Sequence, residues 1–222
     1  MIVCENVSKR FGEIFALKNV SLSFEKSIAI LGYNGAGKST LAKILAGITK
    51  PTRGVVKVFG EDPFKNVEAR KKIGIVTHNP MLYKELRVRE NLDFFAKLHG
   101  IEKWGWVVDE LKLKEKLNCK VFELSRGYVQ RVAIAKALMI EPKLLILDEA
   151  FSSLDLEGRE ILWDRIRDFE GSIAISTHNL EEARFCEKFV VLEKGELVYF
   201  GESYDEAIKA LRTREKGSEN RN

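Results

Sequence analysis

Residues 32–40 read Gly32-Tyr33-Asn34-Gly35-Ala36-Gly37-Lys38-Ser39-Thr40. The apolar run Ile28-Ala29-Ile30-Leu31 precedes them, and Leu41-Ala42-Lys43-Ile44-Leu45-Ala46 follows. The order is buried strand, glycine-rich turn, helix. Gly32, Gly37, Lys38 and Ser39 match the phosphate-binding pattern G-x-x-x-x-G-K-[ST]. Glycines let backbone N–H groups curl around phosphate oxygens with no Cβ in the way. The helix start adds a partial positive charge at the same point. Lys38 is expected to reach the β- and γ-phosphates, and the Ser39 hydroxyl to ligate Mg²⁺.

The rest of the composition bounds the answer. The chain has 222 residues, enough for a sizeable α/β core. With 45% hydrophobic and 32% charged residues it reads as an ordinary soluble globular protein. No apolar run approaches the roughly 20 residues needed to span a bilayer, and the opening residues lack a signal-peptide core. The expected location is therefore cytosolic, or peripheral on the cytosolic face of a membrane. The net charge of +4 is mild and carries no basic block, so no nucleic-acid partner is expected. Cys4, Cys119 and Cys186 have no C-x-x-C spacing, which predicts reduced and mostly buried thiols.

Along the chain, strands are expected at Ile2–Val7, Val20–Phe24 and Val55–Phe59, with Ser8-Lys9-Arg10-Phe11-Gly12 as a loop between the first two. Ile73–Thr77 reads as a strand ending at His78-Asn79-Pro80. From Val88 the spacing turns helical up to Gly100, and Trp104–Lys112 is a second short helix. A long helix opens after Ser125, a plausible N-cap, and runs towards Pro142. Leu144-Leu145-Ile146-Leu147 is the apolar run of a buried parallel strand, closed by Asp148-Glu149. Leu156–Phe169 is amphipathic helix, and Ser172–Thr177 is a strand ending at His178. Asn179 with Glu182 resembles a capping box. Phe189–Leu192 and Leu197–Phe200 flank Lys194-Gly195 as a hairpin. Ser203 with Glu206 caps a last helix, and the polar tail at 214–222 is expected to fray.

A carboxylate pair at a strand end is common by itself. Its chemistry here is that Asp148 can reach Mg²⁺ while Glu149 orients or deprotonates an attacking water. Residues 124–131 read Leu124-Ser125-Arg126-Gly127-Tyr128-Val129-Gln130-Arg131. With this stretch, residues 1 to about 210 resemble the nucleotide-binding domain of ATP-binding cassette (ABC) proteins. Ser125, Gly127 and Gln130-Arg131 match the family's LSGGQ-like signature as LSxGxxQR. Gly32–Thr40 matches Walker A, Leu144–Glu149 Walker B, Ser153-Leu154-Asp155 the D-loop, and His178 the switch histidine.

The resemblance implies an α/β fold: a P-loop NTPase core with a mainly parallel sheet, an N-terminal antiparallel β subdomain and an inserted helical subdomain at about 80–140, together one domain over 1–222. It implies ATP and Mg²⁺ as ligands. Tyr33, Asn34, Gly35, Ala36 and Thr40 would join the glycines, Lys38 and Ser39 around the nucleotide. Glu149 and His178 would be catalytic, with Asp148 and Ser39 on the metal. A second cassette, identical or closely related, would bring its Ser125, Arg126, Gly127 and Gln130 onto the nucleotide in a head-to-tail dimer. Phe11 either stacks on adenine or fills the core. His78 stands where the family has its Q-loop glutamine; it either handles water in that place or caps the strand. The sole glutamine, Gln130, is elsewhere. Arg126 replaces a signature glycine, and Ala150-Phe151 replaces the family's usual Pro-Thr.

The function implied is the ATPase subunit that powers a membrane transporter, with integral membrane permease subunits as partners. Met81, Leu82 and Tyr83 lie near the expected docking surface. Residues 81–100 look like the exporter-type (ABC-2-like) subfamily. The alternative class is a soluble ABC ATPase acting on ribosomes, DNA or cluster assembly, whose members resemble tandem cassettes or carry a long coiled coil, features this chain lacks.

Overall fold

A computed structural model describes residues 1–213. The tail at 214–222 lies outside the described residues. The chain divides into two compact units, Met1–Arg70 with the residues from Ile173 onward, and Lys71–Ser172. The elements run β1 (Ile2–Phe11), β2 (Ile14–Phe24), β3 (Ser27–Leu31), α1 (Lys38–Leu45), β4 (Arg53–Val58) and α2 (Val67–Lys71). There follow β5 (Ile73–Val76), α3 (Val88–His99), α4 (Gly105–Glu110), α5 (Arg126–Leu138), β6 (Leu144–Asp148) and α6 (Leu156–Arg167). The chain continues with β7 (Ser172–Thr177), α7 (Leu180–Ala183), β8 (Lys188–Glu193), β9 (Glu196–Gly201) and α8 (Tyr204–Thr213).

In the first unit, β1 lies between β2 and β4, antiparallel to both. The expected loop at Ser8–Gly12 is corrected: Ser8 to Phe11 belong to β1, and Lys9, Arg10 and Phe11 pair with Leu17, Phe15 and Ile14. The register shifts at three places between Cys4 and Arg10. Each shift interrupts the two-residue alternation that marks a strand in sequence. Asn6 and Asn19 take the left-handed conformation at these irregularities, at φ 50 and 51, and asparagine tolerates it best among non-glycine residues.

The second sheet region of this unit is built on β3, which pairs in parallel with β7 on one side and β8 on the other. Ile28 to Leu31 are at most 1% exposed, as an apolar run buried on both faces requires. β9 pairs antiparallel with β8. Their turn, Lys194-Gly195, is left-handed at both residues (φ 48 and 83), the conformation that matches the twist of a tight hairpin. Ala183, Cys186, Phe189 and Ala207 form a core on which Tyr204 of α8 packs. Cys4 and Cys186 are free and buried, and burial pushes both thiols up to about 12. They are inert, consistent with the expected thiol state.

In the second unit β5 and β6 pair in parallel. Helix α5 is buried on most of its circumference, from Gln130 to Leu138, so it is the unit's central helix. Two polar side chains organise the loop before α3. Asn91, fully buried, accepts from the Tyr83 N–H at 2.8 Å and donates to the carbonyls of Tyr83 and Arg87. Lys136 of α5 donates to the Pro80 carbonyl at 2.9 Å and lies over the Phe95 ring. Burial lowers the Lys136 ammonium from 10.5 to about 8. Between those values the unfolded chain binds more protons at this site than the folded one, so stability rises with pH there. Wild-type protein should therefore gain about 2 kcal/mol relative to Lys136→Met between pH 7 and pH 9.5. Urea unfolding of both proteins at the two pH values measures this, and an unchanged difference refutes it.

Candidate functional site

The glycine loop is shaped by its neighbours in the first unit. Gly32, Gly35 and Gly37 have φ of 152, 80 and 106. A Cβ on Gly32 would stand 2.5 Å from the Leu192 carbonyl oxygen, and one on Gly37 2.5 Å from that of Ala16. Neither distance is tolerable, so the pattern's two glycines are steric requirements. The β8–β9 turn adds hydrogen bonds: the Gly195 N–H donates to Ala36 O at 3.1 Å, and the Lys18 N–H to Gly195 O at 2.7 Å. Lys38 is buried and donates to the carbonyls of Gly32 and Tyr33 at 2.8 and 3.2 Å. Ser39 and Thr40 follow at the start of α1, half-buried, and Tyr33, Asn34 and Gly35 are exposed. A 260 Å³ pocket opens between Tyr33–Ala36 and Leu192–Lys194. Phe11 is 52% exposed, with Lys9 over its ring. This removes the core alternative for it and leaves a surface aromatic.

His178 is exposed between two anchored residues. The Thr177 hydroxyl donates to Glu182 Oε2 at 2.5 Å and accepts from the Asn179 N–H at 2.9 Å. The Asn179 amide donates to Glu182 Oε1 at 3.3 Å. The expected capping box is thus rearranged. Asn179 caps α7 through the Glu181 N–H, and Glu182 grips the side chains of Thr177 and Asn179. Glu182, 8% exposed, thereby holds the side chains on both sides of His178, a role beyond the half of a cap that its spacing suggests.

In the second unit, Asp148 ends β6 and is 2% exposed. Glu149 follows in the left-handed conformation, φ 52, which costs about 1–2 kcal/mol for a non-glycine residue. The Ser152 hydroxyl and N–H both donate to the Glu149 carbonyl, at 2.8 and 3.2 Å, and hold the turn. The Ala150-Phe151 substitution is accommodated by packing: Phe151 stacks on Trp163, with ring centres 4.6 Å apart. Gln130 is 2% exposed and donates to the Ala150 carbonyl at 3.2 Å. Its expected place on a face offered to a second subunit is corrected; it anchors the loop that follows Asp148-Glu149. A glutamine facing inward on a helix buried all round cannot be told from an outward one by spacing.

Ser125 caps α5, accepting from the Tyr128 N–H at 3.5 Å. Ser125 and Arg126 are exposed and Gly127 is half-buried. A Cβ on Gly127 would meet Ser153 O at 3.5 Å and Asp155 N at 3.6 Å. These are ordinary contacts, so the chain's own packing does not demand glycine there. Asp155 is exposed and caps α6, accepting from the Gly158 N–H at 3.0 Å. His78 is exposed at the end of β5, and the Thr77 hydroxyl, donating to the Asn79 carbonyl, closes the turn there. The cap belongs to Thr77.

A glycine loop between parallel strand and helix, and a buried Asp with a strained Glu at the end of an apolar strand, define an α/β nucleotide-binding ATPase. Residues 17–152 match the ABC transporter family. The chain belongs to that family as one of its ATP-binding, ATP-hydrolysing cassettes. Nod factor export ATP-binding protein I of Burkholderia lata is 35% identical over 209 residues, 88% of this chain and 69% of that protein. A Chlorella vulgaris protein named "probable sulfate/thiosulfate import ATP-binding protein CysA" is 34% identical, with 92% of each chain covered. An exporter and an importer subunit are thus similarly alike to this chain, and likeness does not carry the exporter reading of residues 81–100. Among solved structures, an ATP-binding subunit of an ABC transporter superposes with a TM-score of 0.85 at 28% identity, covering 94% of this chain and 92% of that one. A dimeric cassette in a post-hydrolysis state with ADP and Pi gives 0.81 at 28% identity, covering 91% and 98%.

The backbone strain at Glu149 is separable from its carboxylate. Glu149→Gly should be more stable than Glu149→Val by about 1–2 kcal/mol, because only glycine relaxes the left-handed turn. Urea midpoints compare the two, and equal stabilities would show that the turn stores no strain.

Proposed function

We propose that this chain is the ATPase subunit of a membrane transporter, working as a two-fold dimer that ATP closes and hydrolysis reopens. The observation that carries the proposal is the exposed start of α5, where Gly127 meets no internal steric demand. An exposed helix start, with one N–H taken by the Ser125 cap, offers its remaining N–H groups and a partial positive charge to an anion. A partner cassette's γ-phosphate fits that description, with Ser125 and Arg126 beside it.

The residues present fit a magnesium nucleotide. The glycine cradle has room only for backbone, and the first turn of α1 adds Lys38 and Ser39. No group of three or more His, Cys, Asp or Glu among the described residues could hold a metal by itself, which suits an ion carried on substrate phosphates. When bound, Mg²⁺ neutralises charge on the phosphates. Ser39 and Asp148 would hold it, the latter through water. Lys38 leaves its loop carbonyls for the β- and γ-phosphates. Phe11 offers its exposed face to adenine. Glu149 takes a proton from the attacking water or orients it, and His178, fixed through Glu182, hydrogen-bonds the γ-phosphate. His78 supplies a ring nitrogen where the family has an amide, and Asp155 works at the dimer face. These roles belong to one ABC domain over 1–222, with its helical part near 80–140.

The permease subunits would dock on the second unit. Met81, Tyr83 and Phe94 are 44%, 50% and 42% exposed. They adjoin a 240 Å³ groove lined by Pro80, Leu82, Phe122 and Val129. Apolar exposure of this kind favours a protein partner. Among the described residues no helix is long and apolar enough to cross a membrane. The proposed location is peripheral, on the cytoplasmic face.

Glu149→Gln should bind Mg-ATP, lose turnover by at least about 100-fold and elute as a dimer with ATP. A monomer under those conditions refutes the shared site. Native pull-down should recover membrane permease subunits; ribosomal or chromosomal partners in their place would establish the soluble alternative. His78→Ala should lower kcat by at least about tenfold with nucleotide affinity unchanged. Unaltered kcat would remove His78 from the reaction.

A further inference from the structure

Arg131 lies on α5 behind the exposed Ser125-Arg126-Gly127 face, in the interior of the second unit. Its side chain is 2% exposed. Nη2 donates to Asp155 Oδ1 at 2.6 Å and to Glu157 Oε2 at 2.9 Å. The Tyr128 ring covers the guanidinium at 5.2 Å. Nε and Nη1 are buried and make no hydrogen bond among the described residues. Burying a guanidinium with part of its donor set unmet is costly, and stability alone does not favour it over an apolar side chain.

What the arrangement achieves is a connection. Asp155 Oδ1 takes both the Arg131 Nη2 and the Gly158 N–H that it caps. Arg131 holds the Asp155 carboxyl below its usual range. Glu157 is shared with Lys112, whose Nζ is 2.6 Å away. Gly158 makes room, since a Cβ there would stand 2.8 Å from Asp155 Oδ1 and 3.1 Å from Arg131 Nε. The start of α5 and the loop Ser153–Asp155 are already neighbours at Gly127.

We propose that Arg131 is a positioning residue, clamping the Ser153–Asp155 loop to the signature helix so that a second copy of the chain meets both as one preset surface. The inference rests on the ATP-closed dimer proposed above. Without the clamp the loop must be ordered at each closure, and the ordering weakens association. A lysine cannot replace it fully: both carboxylates meet the single nitrogen Nη2, whose position a planar guanidinium presets and a flexible ammonium stem does not.

The test is made in the Glu149→Gln protein, where the dimer accumulates. Adding Arg131→Met should weaken ATP-dependent dimerisation by at least about tenfold, with single-chain ATP affinity changed less than about twofold. Arg131→Lys should restore part of it. With Glu149 intact, Arg131→Met should lower turnover per chain at low protein concentration and recover it as the concentration is raised, whereas loss of folded protein lowers it equally at every concentration. Glu157→Gln, a surface change that leaves Arg131 and the core in place, should weaken dimerisation by about threefold and serves if Arg131→Met fails to fold. Dimerisation equal to the Glu149→Gln control in either variant overturns the clamp. Failure of the Glu149→Gln control itself to dimerise refutes the dimer, a result distinct from failure of the clamp.

Discussion

A loop that binds phosphate with its backbone has few side chains with which to hold its own shape. Here the restraint comes from elsewhere in the first unit. The carbonyls of Leu192 and Ala16 stand where Cβ atoms of Gly32 and Gly37 would be, and the Gly195 N–H bonds the Ala36 carbonyl. The β8–β9 hairpin is therefore part of the glycine loop's support, although it comes much later in the chain. This explains why the first unit is discontinuous. The residues from Ile173 onward supply β7 and β8 on either side of β3, and with them the wall against which the loop is pressed.

Most of this was legible where a single residue type has a single steric or chemical use. The glycine pattern, the apolar run into Asp148-Glu149, the Ser125 cap and the Lys194-Gly195 turn all declare themselves locally. What was not legible depends on partners distant in sequence. The length of β1 was hidden because its bulges break the alternation, and its polar residues Ser8, Lys9 and Arg10 mimic a loop. Glu182 looked like half of a local cap, and its grip on Thr177 is a property of the folded turn. The signature match places Gln130 with the nucleotide contacts of a second subunit, whereas its side chain points inward to the Ala150 carbonyl. Its true direction follows from the burial of α5 on nearly all sides. Arg131 belongs to the motif match and Gly158 to no motif, but the roles of both appear only when α5 and α6 lie side by side.

Helix α5 collects these roles at different depths. Ser125 and Arg126 at its start face solvent. Gln130 and Arg131, inside, hold the two ends of the segment between β6 and α6, one through the Ala150 carbonyl and the other through Asp155. Lys136, near its end, holds the carbonyl of Pro80 in the loop that precedes α3. A rigid helix with side chains on two loops couples those loops, which is the mechanical requirement for linking the proposed nucleotide face to the proposed docking face.

The three restraints differ in chemistry, and the difference is informative. Gln130 and Lys136 bond backbone carbonyls, so they set the path of a loop and are indifferent to its side chains. Arg131 bonds carboxylates, so it sets the direction of the Asp155 and Glu157 side chains themselves. An apolar residue of similar size could fill the space behind α5 at no greater cost, because burying a charge is expensive. It could not orient a carboxylate. On the proposed clamp, the buried charge serves what Asp155 presents at the surface, since the unit's own stability does not favour it over an apolar side chain.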